Sequence, residues 1–149
     1  MSMKLKVCPE SGILRVDAVG EFSLAEAKRT FLEMLEAVAR HKVTKVLFDG
    51  RGLAGEPKTM ERFFYGEFVA RAVAECADRG MVSCFTQFGY VLKEPVRDKR
   101  RFGEAVAVNR DMFVKTFDNP QDALGWLKIV PANKPDAGDG KLAAPDLDR

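Results

Sequence analysis

Three glycines in the stretch Val46 to Phe64, at Gly50, Gly52 and Gly55, have the G-x-G-x-x-G spacing of loops that bind dinucleotide phosphates. In such loops the glycines allow the backbone to approach a pyrophosphate, which binds at the start of the following helix. The segment follows a strand-like apolar run and precedes a helical pattern, so its position also suits this chemistry.

The surrounding residues argue against a nucleotide site. The glycines follow the third predicted strand rather than the first, and the charge of Asp49, directly before them, would oppose a pyrophosphate. An acidic residue should also end the next strand, about 20 residues on, to bind the ribose. That strand ends in Thr86-Gln87-Phe88, and Glu75, at the right distance, lies within a helical pattern. We therefore predict no cofactor and interpret residues 50–56 as a flexible loop at a strand's carboxyl end.

The remaining reactive residues do not form a catalytic or metal-binding motif. The chain has one histidine, His41, and three widely spaced cysteines, Cys8, Cys76 and Cys84, without a C-x-x-C pair. We expect three buried, reduced thiols and no metal site. Asp49 could act as a general base, but a carboxylate that accepts N–H bonds from its own loop is the simpler interpretation. We predict that the protein is not an enzyme.

Size and charge narrow the class of protein. The chain has 149 residues and a net charge of +2, which is too small to indicate a nucleic-acid partner. It contains no apolar run of the roughly 20 residues that span a bilayer, and its N-terminus does not resemble a signal peptide. We expect a cytoplasmic protein without nucleic acid or a transmembrane segment. Residues 1–130 should form one domain, and residues 131–149, poor in bulky apolar residues, a disordered tail.

The spacing of apolar residues predicts elements in the order β-β-α-β-α-β-α-β-α. The predicted strands are residues 5–7, 13–19, 43–48, 81–88 and 112–117, and the helices are residues 23–41, 57–79, 97–108 and 121–127. This order predicts an α/β fold with a single mixed, mostly parallel sheet of about five strands. The first two strands should form an antiparallel N-terminal hairpin, with the helices packed on the sheet.

Three segments resemble the small bacterial SpoIIAA-like proteins of the STAS superfamily, which have the anti-sigma-factor antagonist fold. VTKVLFDGRGLAG (43–55) is similar to the family's strand that ends in Asp before an Arg-Gly-Leu-x-Gly-like loop. GILRVDAVGEFSLAEAK (12–28) is similar to its first hairpin and helix, and RFGEAVAVNRDMFVKTFDNPQDALGWL (101–127) to its Asn-centred turn, last strand and Ala-x-x-Trp-Leu helix. The resemblance covers roughly residues 4–127.

This resemblance implies a regulatory module that acts through protein contact. Because the fold is also related in shape to CRAL-TRIO lipid-carrier domains, a carrier or sensor of an apolar or lipid-like small molecule is the alternative. Typical antagonists are phosphorylated on a serine of an Asp-Ser-Ser/Thr-Gly-like motif at the start of the helix after this strand. Here residues 50–58 contain neither serine nor threonine. Thr59 is the nearest hydroxyl and the candidate phosphosite, outside the family's pattern.

The second predicted helix has two apolar stripes when its residues are placed about 100° apart. One stripe suits packing on the sheet and consists of Tyr65, Val69, Ala72, Val73 and Cys76. The other stripe, Met60, Phe64 and Phe68, needs a second partner. Three partners remain open: a neighbouring segment such as residues 89–95, a second copy of the chain, or an apolar molecule between this helix and the glycine loop.

The candidate contact region is therefore the loop Asp49 to Gly55 with the start of the following helix. We expect Arg51 and Leu53 to contact the partner, or Arg51 to meet an anionic head group if the partner is a lipid-like ligand. We expect the protein to work as a homodimer, and Met60, Phe64 and Phe68 would form its interface.

Overall fold

The computed structural model describes residues 3–10, 12–97, 102–108 and 110–128. The strands are β1 (Lys4–Glu10), β2 (Ile13–Glu21), β3 (Lys45–Ala54), β4 (Gln87–Val91) and β5 (Phe113–Phe117). The helices are α1 (Leu24–His41), α2 (Thr59–Asp78), α3 (Phe102–Val108) and α4 (Pro120–Leu127). The predicted tail, residues 131–149, and residues 98–101 of the third predicted helix lie outside the described residues.

The strands form one five-stranded sheet in the order β1-β2-β3-β4-β5. β1 pairs antiparallel with β2, from Lys4 opposite Val19 to Glu10 opposite Ile13, and the other three pairings are parallel. The prediction of a mostly parallel mixed sheet with an antiparallel N-terminal hairpin is confirmed.

The helices are divided unequally between the two faces of the sheet. The larger core includes Phe31 of α1, Val69 of α2 and Ala107 of α3, packed with sheet residues such as Phe48 and Phe88. Successive side chains of a strand point to opposite faces of the sheet. Leu47, next to Phe48 in β3, and Val91 in β4 accordingly face the other side, where they pack against Ala123 and Leu127 of α4. The face that α4 covers is less shielded from solvent, because only one helix packs there among the described residues.

Side chains that accept backbone N–H groups define where two helices begin. Ser23 Oγ accepts a hydrogen bond from the backbone N–H of Glu26 at 3.2 Å, and Asn119 Oδ1 accepts one from Asp122 at 2.9 Å. Such caps satisfy donors that have no partner within the helix. The two starts agree with the sequence pattern, whereas α2 begins at Thr59 rather than at the predicted Pro57.

The glycine-rich segment is a strand over most of its length, so the prediction of a loop over residues 50–56 is wrong for residues 50–54. β3 continues to Ala54 and pairs with β2 there, with Gly52 opposite Val19. From the pair Asp17–Asp49 to the pair Val19–Gly52, β3 advances by three residues while β2 advances by two. This extra residue in β3 is a bulge, which reverses the alternation of side chains along the strand.

The predicted strand at residues 81–88 is also displaced. β4 begins at Gln87 and ends at Val91, and all five of its residues are buried. Gly89, the residue just beyond the predicted strand, lies in the middle of β4 beneath Ala123 and Leu127 of α4. Cys84 consequently precedes the strand and is exposed, and Cys8 and Cys76 are only half-buried, so the expectation of three buried thiols is wrong.

Candidate functional site

An apolar cavity of about 120 Å³ lies between α2 and the sheet. Its walls come from α1, α2, α3, the last three strands and the segments after β3 and β4. Most lining side chains are apolar, among them Phe48, Leu53, Val69, Leu92 and Val114. Largely apolar concave sites with a few polar groups are typical of small-molecule binding sites.

Two tyrosines supply the central polar group of this cavity. The hydroxyl oxygens of Tyr65, on α2, and Tyr90, on β4, lie 2.8 Å apart and share a hydrogen bond. Phe31 packs against Tyr65 edge to face, and Phe48 lies against Tyr90 with ring centroids 4.6 Å apart. Burial raises the pKa of both hydroxyls well above its ordinary value, because the phenolate would lose its hydration. The pair is therefore a neutral hydrogen-bonding group at physiological pH.

Arg62 closes one side of the cavity. Its two terminal guanidinium nitrogens donate hydrogen bonds, each of 2.8 Å, to the backbone carbonyl oxygens of Pro95 and Val96. These bonds hold the segment that follows β4 against the first turns of α2. Arg62 and Val96 both line the cavity, so this contact forms part of its wall.

The bulge in β3 separates the residues that the sequence grouped together. Leu53, after the bulge, is half-buried and lines the cavity. Asp49 lies before the bulge and Arg51 within it. Both lie on the opposite face of the sheet, together with Arg15 and Asp17. Arg51 does not line the cavity, so the structure does not bring it to an apolar ligand there.

Asp49 is bound by two arginines on that opposite face. Arg51 donates to it from Nε at 3.0 Å and from a terminal nitrogen at 2.8 Å, and Arg15 donates at 3.3 Å. The Asp49 side chain is only 11% exposed. Hydrogen bonds from Arg51, with the charges of Arg51 and Arg15, lower the pKa of Asp49. The backbone N–H of Arg51 also donates to it, at 3.2 Å, as the simpler sequence interpretation expected.

The two stripes of α2 have different environments. Val69, Ala72 and Val73 of the first stripe are buried, and Tyr65 and Cys76 pack against the same core. In the second stripe Met60 is 57% exposed and Phe64 is 44% exposed. Phe68 is half-buried, with Lys28 Nζ 5.4 Å from its ring centroid. Thr59 is exposed beside Met60, at the first residue of the helix.

The sequence reasoning missed Tyr90 and Arg62 as parts of a site. Tyr90 lies beyond the predicted strand, which covers residues 81–88, but within the observed strand β4. The run Phe88 to Leu92 contains four large apolar or aromatic residues, which could have identified a strand buried on both faces. The segment around Pro95, to which Arg62 binds, carries no comparable signal.

The described part of the chain meets neither the requirements of a metal site nor those of a membrane-spanning helix. Among its residues, no three His, Cys, Asp or Glu side chains are grouped closely enough to hold a metal ion. None of its helices combines the length and apolar character needed to cross a membrane.

Comparison with solved structures shows the fold. The chain is similar to an anti-sigma factor antagonist from Mycobacterium paratuberculosis, with 16% sequence identity, a TM-score of 0.55 and coverage of 86% of this chain and 96% of the other. It is also similar to an uncharacterized DUF3478-family protein with a SpoIIAA-like fold from Shewanella loihica PV-4, with 16% identity, a TM-score of 0.49 and coverage of 85% and 94%. Neither a protein-family model nor a curated protein matches the sequence. The similarity to the anti-sigma factor antagonist confirms the expected fold.

Proposed function

We propose that this chain is a cytoplasmic, non-enzymatic regulatory module that acts through protein contact as a homodimer, with the exposed face of α2 as the interface. The observation that carries the proposal is the exposure of Met60 and Phe64, one helical turn apart on the same face. Met and aromatic residues are enriched at the cores of protein interfaces. A two-fold axis would place this patch against itself. The fold supports a role in protein contact, because a solved protein that shares it is described as an anti-sigma factor antagonist.

A charge placed in this patch tests the proposal. We expect the wild-type protein to be a dimer by light scattering coupled to size exclusion, and Phe64→Glu to be a folded monomer with an unchanged circular dichroism spectrum. Leu32→Glu is the matched control, since Leu32 is 49% exposed on another helix, α1. It should remain dimeric. A monomeric wild type, or a dimeric Phe64→Glu variant, would contradict the proposed interface.

Thr59 is the modification site that fits this interface. A phosphate there would lie at the start of α2, where the helix dipole favours negative charge, and directly beside Met60. Mass spectrometry of the protein purified from its own host, under denaturing conditions, tests this. A mass increase of one phosphate that maps to Thr59 supports the switch, and an unmodified chain under every growth condition counts against it.

The cavity favours a second candidate function, a carrier or sensor of an apolar small molecule. Its volume of about 120 Å³ is close to that of an engineered apolar cavity, about 150 Å³, that binds benzene or xenon. Native mass spectrometry should show a non-covalent mass that disappears on denaturation, and the same molecule should appear in a solvent extract. A clean extract together with no uptake of xenon or benzene would contradict this second function.

A further inference from the structure

The hydrogen-bonding groups of the cavity specify which molecules it can hold, and this inference rests on the second candidate function above. The hydroxyls of Tyr65 and Tyr90 have two hydrogens between them, and their mutual bond uses one. Within the described residues, the pair makes no other hydrogen bond. Among these residues, one O–H donor on the cavity wall therefore has no acceptor.

The cavity is less suited to a charged ligand. Arg62 is the charged side chain among the described lining residues, and its two terminal nitrogens donate to backbone carbonyls, so an anion would have to share the guanidinium with these carbonyls. No carboxylate lines the wall in the same part of the chain, so a cation would have no counter-ion. Burying a charge without a partner is far more costly than burying a neutral oxygen that accepts a hydrogen bond. A neutral ligand is favoured on both counts.

The hydroxyl of Thr30 does not supply a second anchoring point. Thr30 lines the cavity, but its Oγ1 donates to the carbonyl oxygen of Ala27 at 3.1 Å within its own helix. The tyrosine pair lies between α2 and β4, so a ligand that reaches it would be surrounded by the apolar side chains of Phe48, Leu53 and Val69.

We propose that the cavity selects an uncharged molecule whose small apolar ring or branched chain carries one acceptor oxygen, as in a ketone, ether or ester. The oxygen would accept the available hydrogen of the Tyr65–Tyr90 pair, and the hydrocarbon part would fill the remaining space. A larger lipid of the same kind would place only its oxygen-bearing end here.

Three probes of similar size test the proposal in the full chain: cyclohexanone, methylcyclohexane and cyclohexanecarboxylate. Binding is followed by amide shifts in proton–nitrogen NMR spectra. Because the hydrocarbon is more hydrophobic than the ketone, the informative quantity is the change caused by mutation for each probe. In Tyr65→Phe/Tyr90→Phe we expect ketone affinity to fall about twofold to tenfold, the range for a net hydrogen bond. Hydrocarbon affinity should not fall, and the carboxylate should not bind.

The single variants, Tyr65→Phe and Tyr90→Phe, are the matched controls. Each retains one hydroxyl, whose hydrogen no longer has the other hydroxyl as its partner, and should therefore retain ketone binding. If the double variant does not fold, infrared spectra of carbonyl-labelled cyclohexanone on the wild type give a second test. The carbonyl stretch should shift to lower frequency than in an apolar solvent.

The outcomes separate this inference from the function on which it rests. If the double variant weakens ketone and hydrocarbon equally, or if the bound carbonyl stretch is unshifted, the selectivity is wrong while the cavity remains a binding site. Binding of the carboxylate would also overturn the selectivity. If no probe binds to the wild type, the second candidate function fails and the inference fails with it.

Discussion

The hydroxyl oxygens of Tyr65 and Tyr90, 2.8 Å apart, join the inner side of α2 to the middle of the sheet. Tyr65 lies three residues after Arg62 in α2, and Tyr90 belongs to β4, a strand buried on both faces. The hydrogen bond between them therefore fixes the distance between α2 and the sheet. The same helix exposes Phe64, the neighbour of Tyr65, on its other side.

The tyrosine pair should show energetic coupling. We expect each single change, Tyr65→Phe or Tyr90→Phe, to lower the free energy of unfolding by about 1–2 kcal/mol, because it leaves the other buried hydroxyl without its partner. The double change should cost less than the sum of the two, since no orphaned hydroxyl remains. Urea unfolding of the four proteins measures this. Additive effects would show that the hydroxyls do not depend on each other.

The pair should also determine how the protein responds to high pH. The chain contains two tyrosines, so its tyrosinate absorbance reports on this pair alone. Both pKa values are raised in the folded state, and the stabilisation is complete below the unfolded value of about 10 and is lost as the pH rises through the folded values. In an alkaline titration, tyrosinate should therefore appear together with the loss of helical circular dichroism. Tyrosinate that forms near pH 10 in the folded protein would contradict the burial of the pair.

Asp49 should stabilise the protein as long as its carboxylate is ionised. We expect Asp49→Asn to lower the free energy of unfolding by about 1–2 kcal/mol, because it removes charge-assisted bonds from Arg51 and Arg15. The pKa of Asp49 is depressed in the folded state, so its contribution is complete above the unfolded pKa of about 4 and disappears as the pH falls through the lower, folded pKa.

Urea unfolding at neutral and acidic pH measures the effect of Asp49→Asn. The difference from wild type should shrink on acidification. Asp78→Asn, at an exposed position at the end of α2, is the control and should change stability by less than about 0.5 kcal/mol. A deficit for Asp49→Asn that is equal at both pH values would mean that its ionisation is not responsible.

Gly52 should be intolerant of a side chain. A Cβ atom there would lie 2.7 Å from Val19 Cγ1 and 3.2 Å from the backbone oxygen of Ala18. We expect Gly52→Ala to destabilise the protein by about 1–3 kcal/mol, the usual cost of overpacking. Adding Val19→Ala removes the closer contact and should restore part of the loss.

Gly125→Ala, in α4, is the control, because a Cβ atom there meets nothing within 4 Å. Since alanine is the better helix former, this change should raise the free energy of unfolding by up to about 1 kcal/mol. Thermal unfolding compares the variants. If Gly52→Ala is as stable as wild type, the close approach of Val19 and Ala18 is not the reason why a glycine occupies this position.

The order and types of the elements could be predicted from the sequence, because hydrophobic periodicity and helix caps are local signals. Ser23 and Asn119 mark helix starts through their own side chains. The candidate site could be predicted less well, because it depends on the bulge in β3, a mismatch between two strands that neither strand reveals alone. This one residue places Leu53 on the cavity face, away from Asp49. Tyr90 was missed because the predicted strand ends at residue 88, whereas β4 continues through Gly89, which pairs with Leu47 and Lys115 in the neighbouring strands.

The strand order of the sheet follows the order of the chain without exception among the described strands. Each of these strands after β1 pairs with the strand before it, so no strand has to be inserted between two that already exist. During synthesis, each new strand can add to a growing edge as soon as its preceding helix has emerged, starting from the β1–β2 hairpin. Assembly of the sheet can therefore proceed in the same direction as translation.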